Sequence, residues 1–251
     1  MEKQSQFEIR DPQYSELETF KNKSLLAEIV KHISSIQSEQ RRQILDAMCG
    51  TGIVGDDILN KLDCDVYYSD ASPKMIATLD EKAAEKVIQA DVTNMPFEAN
   101  TFHGITCRAG LNNLKQEQYL RAISELIRVL KKDGILVIQD AIPDEENLHE
   151  IFNKIELIVA KLDGRNDDPY IATIDELRDY INQSGAKIET HSTQYILANF
   201  HERFKAKGIE NPDFTELIEL LRNQNALKFI IKNDELVLLI PVVTMVVRKS
   251  R

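Results

Sequence analysis

The chain has 251 residues, with 31 Lys+Arg against 41 Asp+Glu and a formal net charge of −10. That length holds one large α/β domain or two small ones, and 43% apolar with 29% charged residues is a globular composition, not a disordered one. The acidic balance argues against a surface built to grip nucleic-acid phosphates or an anionic membrane. The longest apolar run, 236–247, contains Pro241 and Thr244 and is too short to span a bilayer.

Residues 1–24 contain no apolar core of signal-peptide length, and Cys49, Cys64 and Cys107 form no C-x-x-C pair. Reduced thiols in a cytoplasmic protein are expected. The histidines show neither H-x-x-x-H nor H-E-x-x-H spacing, so no metal site is expected.

In chain order, Leu25, Leu26, Ile29, Val30, Ile33 and Ile36 recur at helical spacing. Residues 1–40 therefore read as a helical cap segment before a main domain of 41–251. Strands are predicted at 43–47, 66–69, 86–90, 105–108 and 134–139, alternating with helical patterns. The last of these helices carries Leu120, Ile123, Ile127 and Leu130 on one face. Such alternation predicts βαβ units and a parallel sheet with helices on both faces.

After Asp140 the pattern changes. Leu148, Ile151, Phe152, Ile155, Ile158, Val159 and Leu162 form a helical stripe, and 164–169 reads as a loop. A helix at 174–183 stops at Ser184-Gly185. A strand at 187–195, a helix at 211–221 with Pro212 near its first turn, and a strand at 236–247 buried on both faces complete the chain. Helical insertions at about 142–172 and 197–232 are expected to sit at one end of the sheet.

The strongest chemical signal follows the first strand of the sheet, where Gly50, Gly52 and Gly55 spell G-x-G-x-x-G. Glycines between strand and helix let backbone pass close to a ligand. With Asp70 about 20 positions later, this is also the fingerprint of a dinucleotide site, so an NAD(P)-dependent oxidoreductase is a rival reading. Three features weigh against it. Asp46 closes the strand ahead of the glycines, and a buried carboxylate there needs a cationic or hydrogen-bonding partner that pyrophosphate cannot supply. Asp91 adds a further acidic group at the end of the third strand. No hydride-transfer apparatus lies nearby.

Four segments carry a resemblance. Ile44-Leu-Asp-Ala-Met-Cys-Gly-Thr-Gly52, Ser69-Asp-Ala-Ser-Pro-Lys-Met75, Ala90-Asp-Val92 followed by Met95-Pro-Phe97, and Arg128-Val-Leu-Lys-Lys-Asp-Gly134 occur in order at natural spacings. Together they are similar to the class I S-adenosylmethionine-dependent methyltransferases. Met48 stands where that family usually has its first glycine, and His103 replaces a usual aspartate.

The resemblance implies a Rossmann-like, doubly wound, seven-stranded, mainly parallel α/β sheet with its last strand antiparallel, carrying helical lid insertions. It implies S-adenosyl-L-methionine as cofactor. Backbone at Met48, Cys49, Gly50 and Gly52 would pack along its methionine and ribose parts, with Asp46 near the amino group. Asp70 would accept both ribose hydroxyls. Ala71 and Met75 would flank the adenine, Asp91 and the Val92 amide would read its amino edge, and Arg108 and Ala109 would border the methionine tail.

Asp46 has a second reading, as a structural carboxylate capping nearby amides, and Asp70 as a helix N-cap. The 168–170 run superficially resembles the D-P-P-Y motif of amino-methylating enzymes but falls in the wrong place, and is read as loop. A small-molecule acceptor is expected, without nucleic acid or membrane, since the insertions can roof a pocket; a protein or RNA acceptor is the alternative. If the acceptor must lose a proton, His201 is the candidate base and Asn113 a candidate orienting residue. Tyr14 and the N-terminal segment could close over the cofactor.

Overall fold

The computed structural model describes residues 17, 19–79, 86–143, 146–164, 169–205, 208–223, 228–232 and 235–250. Tyr14 and Asp168 lie outside them. Strand β1 (Arg42–Ala47) occupies the middle of the parallel half of the sheet, with β2 (Cys64–Asp70) on one side and β4 (Phe102–Arg108) on the other. Beyond them lie β3 (Val87–Gln89) and β5 (Leu130–Asp140), also parallel. Ile44, Leu45, Asp46 and Ala47 are all buried, as a parallel strand covered on both faces requires. Helices α2 (Ile53–Lys61), α3 (Pro73–Ile76) and α4 (Tyr119–Val129) lie in the connections between these strands. The buried stripe of α4 begins at Tyr119, and Leu120, assigned to that face by its spacing, is exposed instead.

The sheet order is β3-β2-β1-β4-β5-β8-β6. Strand β8 (Glu235–Lys249) lies between β5 and β6 (Ala186–Asn199), antiparallel to both, with Val243, Met245 and Val247 buried. This is the expected mainly parallel α/β architecture. It gains an eighth strand, β7 (Phe229–Lys232), which pairs with the start of β8 inside a segment read as helical. Ile230 and Ile231 are both half exposed, so β7 shows none of the period-2 alternation by which a strand is recognised.

The two insertions fold against each other. From α5 (Glu146–Leu162), α7 (Phe200–Lys205) and α8 (Thr215–Arg222), residues including Phe152, Val159, Phe204 and Leu217 form an apolar cluster separate from the main core. Helix α6 (Ile174–Gln183), opened by a Thr173–Glu176 capping box, packs Leu177 and Ile181 into the main core. Helix α1 (Lys23–Ser34) packs Ile29 and Ile33 against Ile44 and Val137. Its Glu28 accepts from Gln194 Nε2 (2.6 Å) and Thr244 Oγ1 (2.9 Å), which ties α1 to β6 and β8. Among the described residues, no helix is long and apolar enough to cross a membrane.

Candidate functional site

A cavity of about 290 Å³ opens where the C-terminal ends of β1, β2, β4 and β5 meet the insertions. Ligand crevices of open α/β sheets form at such strand ends. The first wall is the glycine loop. Met48 sits in the left-handed region (φ 54°), as does Gly50 (φ 55°), and together they turn the chain sharply out of β1. Met48, at a position where the resembled family usually has glycine, thus holds a side chain on left-handed backbone.

The three glycines do different work. A Cβ built on Gly50 would meet no atom within 4 Å, and Gly50 lies on the cavity wall, so a ligand could lie flush against its backbone. On Gly52 a Cβ would fall 2.5 Å from Leu79 Cδ2, and on Gly55 it would fall 2.3 Å from Tyr68 Cε1. Those two permit close packing of the loop and α2 onto β2. Gly52 does not line the cavity, which corrects its expected role as a ligand contact.

Asp46 is also corrected. It is buried beneath the loop, off the cavity wall, accepting from the Gly55 amide (2.9 Å) and Thr106 Oγ1 (3.0 Å). Burial pushes its carboxyl up to about 7, opposed by those two hydrogen bonds. The partner that the buried carboxylate requires is the first turn of α2.

Asp70 does line the cavity. Its two oxygens accept from the Gly50 amide and the Ser72 amide, each at 2.8 Å, while Ser72 itself caps α3. Each carboxylate oxygen has a second acceptor direction. Cys49, Ala71, Met75, Asp91 and Val92 continue the wall, and Asp91 Oδ1 takes the Thr93 amide and hydroxyl at 2.8 Å. Burial raises the Cys49 thiol well above its ordinary range, so Cys49 is a wall residue and not a thiolate.

Arg108 and Ala109 border the opposite side. The Arg108 guanidinium donates to the carbonyls of Phe20 (2.8 Å) and Thr19 (2.9 Å) and lies 5.7 Å from the Phe20 ring centre. Leu17, Thr19 and Phe20 thereby become part of the cavity wall. Burial lowers Arg108 to about 10, against the favourable charges of Asp46 and Asp140. Nothing in the sequence pointed to this link.

Asn113 lies on the wall, its Nδ2 donating to the Ala109 carbonyl (3.0 Å). His201 does not. Its Nδ1 accepts the Leu236 amide (2.9 Å) and its ring packs 4.7 Å from that of Phe214, so it braces the insertion and is no candidate base. His103 is equally structural, accepting the Gln43 amide at 3.0 Å.

Two wall residues were missed. Asp140 ends β5 and is 2% exposed, and the preceding Gln139 is 1% exposed. A signal for Asp140 existed, since an acidic residue closes its apolar strand as Asp70 and Asp91 close theirs. Farther out the wall is apolar, with Phe152, Ile155, Ile171, Ile196, Phe200 and Val242 around a Glu156–Arg203 pair at 3.4 Å.

Residues 44–134 match the family model described as a methyltransferase domain. A ubiquinone/menaquinone biosynthesis C-methyltransferase of Agrobacterium fabrum is 31% identical over 157 residues, covering 56% of this chain and 59% of that protein. An uncharacterized protein of Methanocaldococcus jannaschii is 29% identical over 141 residues, with the same coverage of each. The match thus spans about three fifths of the length of these relatives. Among solved structures, the YcgJ protein of Bacillus subtilis superposes with a TM-score of 0.73 at 16% identity, over 91% of this chain and 99% of that one. Magnesium protoporphyrin IX methyltransferase of Synechocystis, solved with bound S-adenosylhomocysteine, gives 0.56 at 14% identity, over 91% and 83%. At these identities the superpositions show a shared fold. With the strand order, the glycine loop and the family match in agreement, residues 44–134 form a methyltransferase-type domain, similar in sequence and fold to the S-adenosylmethionine-dependent methyltransferases.

Proposed function

We propose that the protein transfers a methyl group from S-adenosylmethionine to a small-molecule acceptor. The observation that carries this reading is the Gly50–Asp70 pair, an open backbone position joined to a carboxylate on one cavity wall. Met48, Cys49 and Gly50 would run along the amino-acid and ribose portions, and Asp70 would accept the ribose hydroxyls. Ala71, Met75 and Val92 would flank the adenine, with Asp91 at its amino edge. When bound, the cofactor supplies a methyl group already activated on a positively charged sulfur. What remains for the chain is to hold the acceptor in line and keep water out, and orientation of this kind is worth ~7–11 kcal/mol.

A small acceptor is supported by the apolar roof that the insertions lay over the cavity, and by relatives named for quinone-biosynthesis methyl transfer. Residues 1–40 would act as a cap on the 41–251 domain. The unpaired state of Cys49, Cys64 and Cys107 supports a reducing, cytoplasmic setting.

Calorimetry tests the cofactor directly. Heat on adding S-adenosylmethionine or S-adenosylhomocysteine, and none with NAD(P), is expected; the reverse pattern would overturn the reading. Methyl transfer itself is checked by release of S-adenosylhomocysteine against a panel of small acceptors.

A further inference from the structure

The C-terminal end of β5 presents hydrogen-bond acceptors to the cavity. Asp140 Oδ1 accepts from the Ala141 amide (2.9 Å) and Oδ2 from the Asn112 amide (3.3 Å), so backbone alone holds the carboxyl in position. Among the described residues Asp140 forms no ion pair. Gln139 is its neighbour on the wall. Its Nε2 donates to the Leu25 carbonyl (3.1 Å) and Thr244 Oγ1 (2.9 Å), which fixes the amide's orientation and leaves Oε1 buried without a partner among the described residues. Successive residues of a strand turn to opposite faces, so the two groups do not share one partner. Asp140, on the cavity wall, would be met by a molecule that brings a proton.

The nearest donors are committed elsewhere. Arg108 is tied to the Thr19 and Phe20 carbonyls, Asn112 Nδ2 to the Ala141 carbonyl (3.0 Å), and Asn113 Nδ2 to the Ala109 carbonyl. Glu156, the other carboxylate on this side, is paired with Arg203. Around this polar end the wall is apolar, with Phe152, Ile155, Ile196 and Val242 among its residues.

Resting on the methyl-transfer reading, we propose that the acceptor is a largely apolar molecule whose reacting oxygen is a phenol- or enol-type hydroxyl, and that Asp140 receives its proton. In the step, a lone pair of the acceptor oxygen forms the new bond to the methyl carbon. The carbon–sulfur bond breaks with its electron pair left on sulfur, as a neutral thioether. The hydroxyl proton passes to a carboxylate oxygen of Asp140, so one positive and one negative charge are consumed together. A hydroxyl must lose this proton to become a strong nucleophile, whereas an amine attacks with its own lone pair.

Asp140 suits the role at neutral pH. Burial pushes its carboxyl up to about 7, aided by Glu156 from α5 and opposed by the amides of Asn112, Ala141 and Leu111. Arg108 and Cys107 from β4 and Tyr119 from α4 also lie in its electrostatic neighbourhood.

The test uses the full chain loaded with S-adenosylhomocysteine, titrated with naphthalene, 2-naphthol and 2-methoxynaphthalene. At pH 8 the naphthol should bind about tenfold more tightly than its methyl ether, and Asp140→Asn should abolish that preference. In the wild-type chain the preference should fade as pH drops from 8 to 5, a readout that needs no variant and so survives misfolding of D140N. With S-adenosylmethionine instead, wild-type protein should form 2-methoxynaphthalene, and D140N should slow this by 10²–10⁴-fold. Equal binding of naphthol and ether, a preference that D140N retains, no binding of any of the three, or no methylated product overturns the proposal. Loss of heat on adding S-adenosylhomocysteine itself would instead strike the methyl-transfer reading, so the two failures are distinguishable.

Discussion

The Asp70 carboxylate holds the Gly50 amide at 2.8 Å, joining the end of β2 to the turn after β1 across one lip of the cavity. One side chain thus shapes the loop and stands where ribose hydroxyls would be read. Asp70→Asn replaces one acceptor oxygen by a donor facing an amide. Loss of a hydrogen bond to a charged group is worth about 1.5–3 kcal/mol, so calorimetry should show S-adenosylhomocysteine affinity falling about tenfold or more. Unchanged affinity would remove Asp70 from the binding site.

The glycine loop separates binding from packing. Gly50→Ala has room for its methyl but must hold φ +55°, at about 1–2 kcal/mol, and the methyl would stand where ligand is expected. Gly55→Ala drives a methyl into the Tyr68 ring and should lower stability by about 1–3 kcal/mol. Chemical denaturation with ligand titration should show G50A losing mainly affinity and G55A mainly stability.

Arg108 offers a test of the segment before α1. Arg108→Met removes both donors to the Thr19 and Phe20 carbonyls while keeping an apolar stem. Amide exchange at residues 19–22 should accelerate at least tenfold, with the strands of the sheet little changed. Equal exchange in both proteins would mean that other contacts hold the segment.

Asp46 sets a pH dependence of stability with a defined sign. Its carboxyl titrates near 7 when folded and near the ordinary carboxylate value when unfolded, so between pH 4 and 7 the folded state binds the extra proton. Stability should therefore decline as pH rises through that window, and level off above it. Asp140, raised by burial in the same way, adds to the decline. Thermal melts of Asp46→Asn should show a shallower slope from pH 5 to 7, with cofactor affinity within a few-fold of wild type. A large loss of affinity would return Asp46 to the ligand.

The parallel half of the sheet was legible because strands buried on both faces are written as apolar runs, and β1 and β4 have little else to be. The far half was less so. β6 extends to Asn199, and there exposed Tyr195 and Leu197 are as apolar as buried Ile196 between them, so the sequence shows no inward–outward alternation. In the site, Asp70 and Asp91 could be read from strand ends, where side chains reach a crevice. Asp46 shows the limit of that reasoning. Position along a strand locates a carboxylate but not the direction in which it turns, and here the nearest donors lie under the loop. His201 was placed by its location in an insertion, whereas its partner Leu236 stands 35 residues away.

The Arg108–Phe20 link closes a loop of 88 residues with hydrogen bonds to main-chain carbonyls. Since every amino acid supplies a carbonyl, residue 19 can drift in identity without losing its hydrogen bond, whereas Phe20 also offers its ring to the guanidinium and position 108 cannot change without losing its double donor. The link also orders events during synthesis. Residues 17–20 leave the ribosome well before β4, and the cavity has no finished wall on that side until Arg108 has emerged and folded back over them.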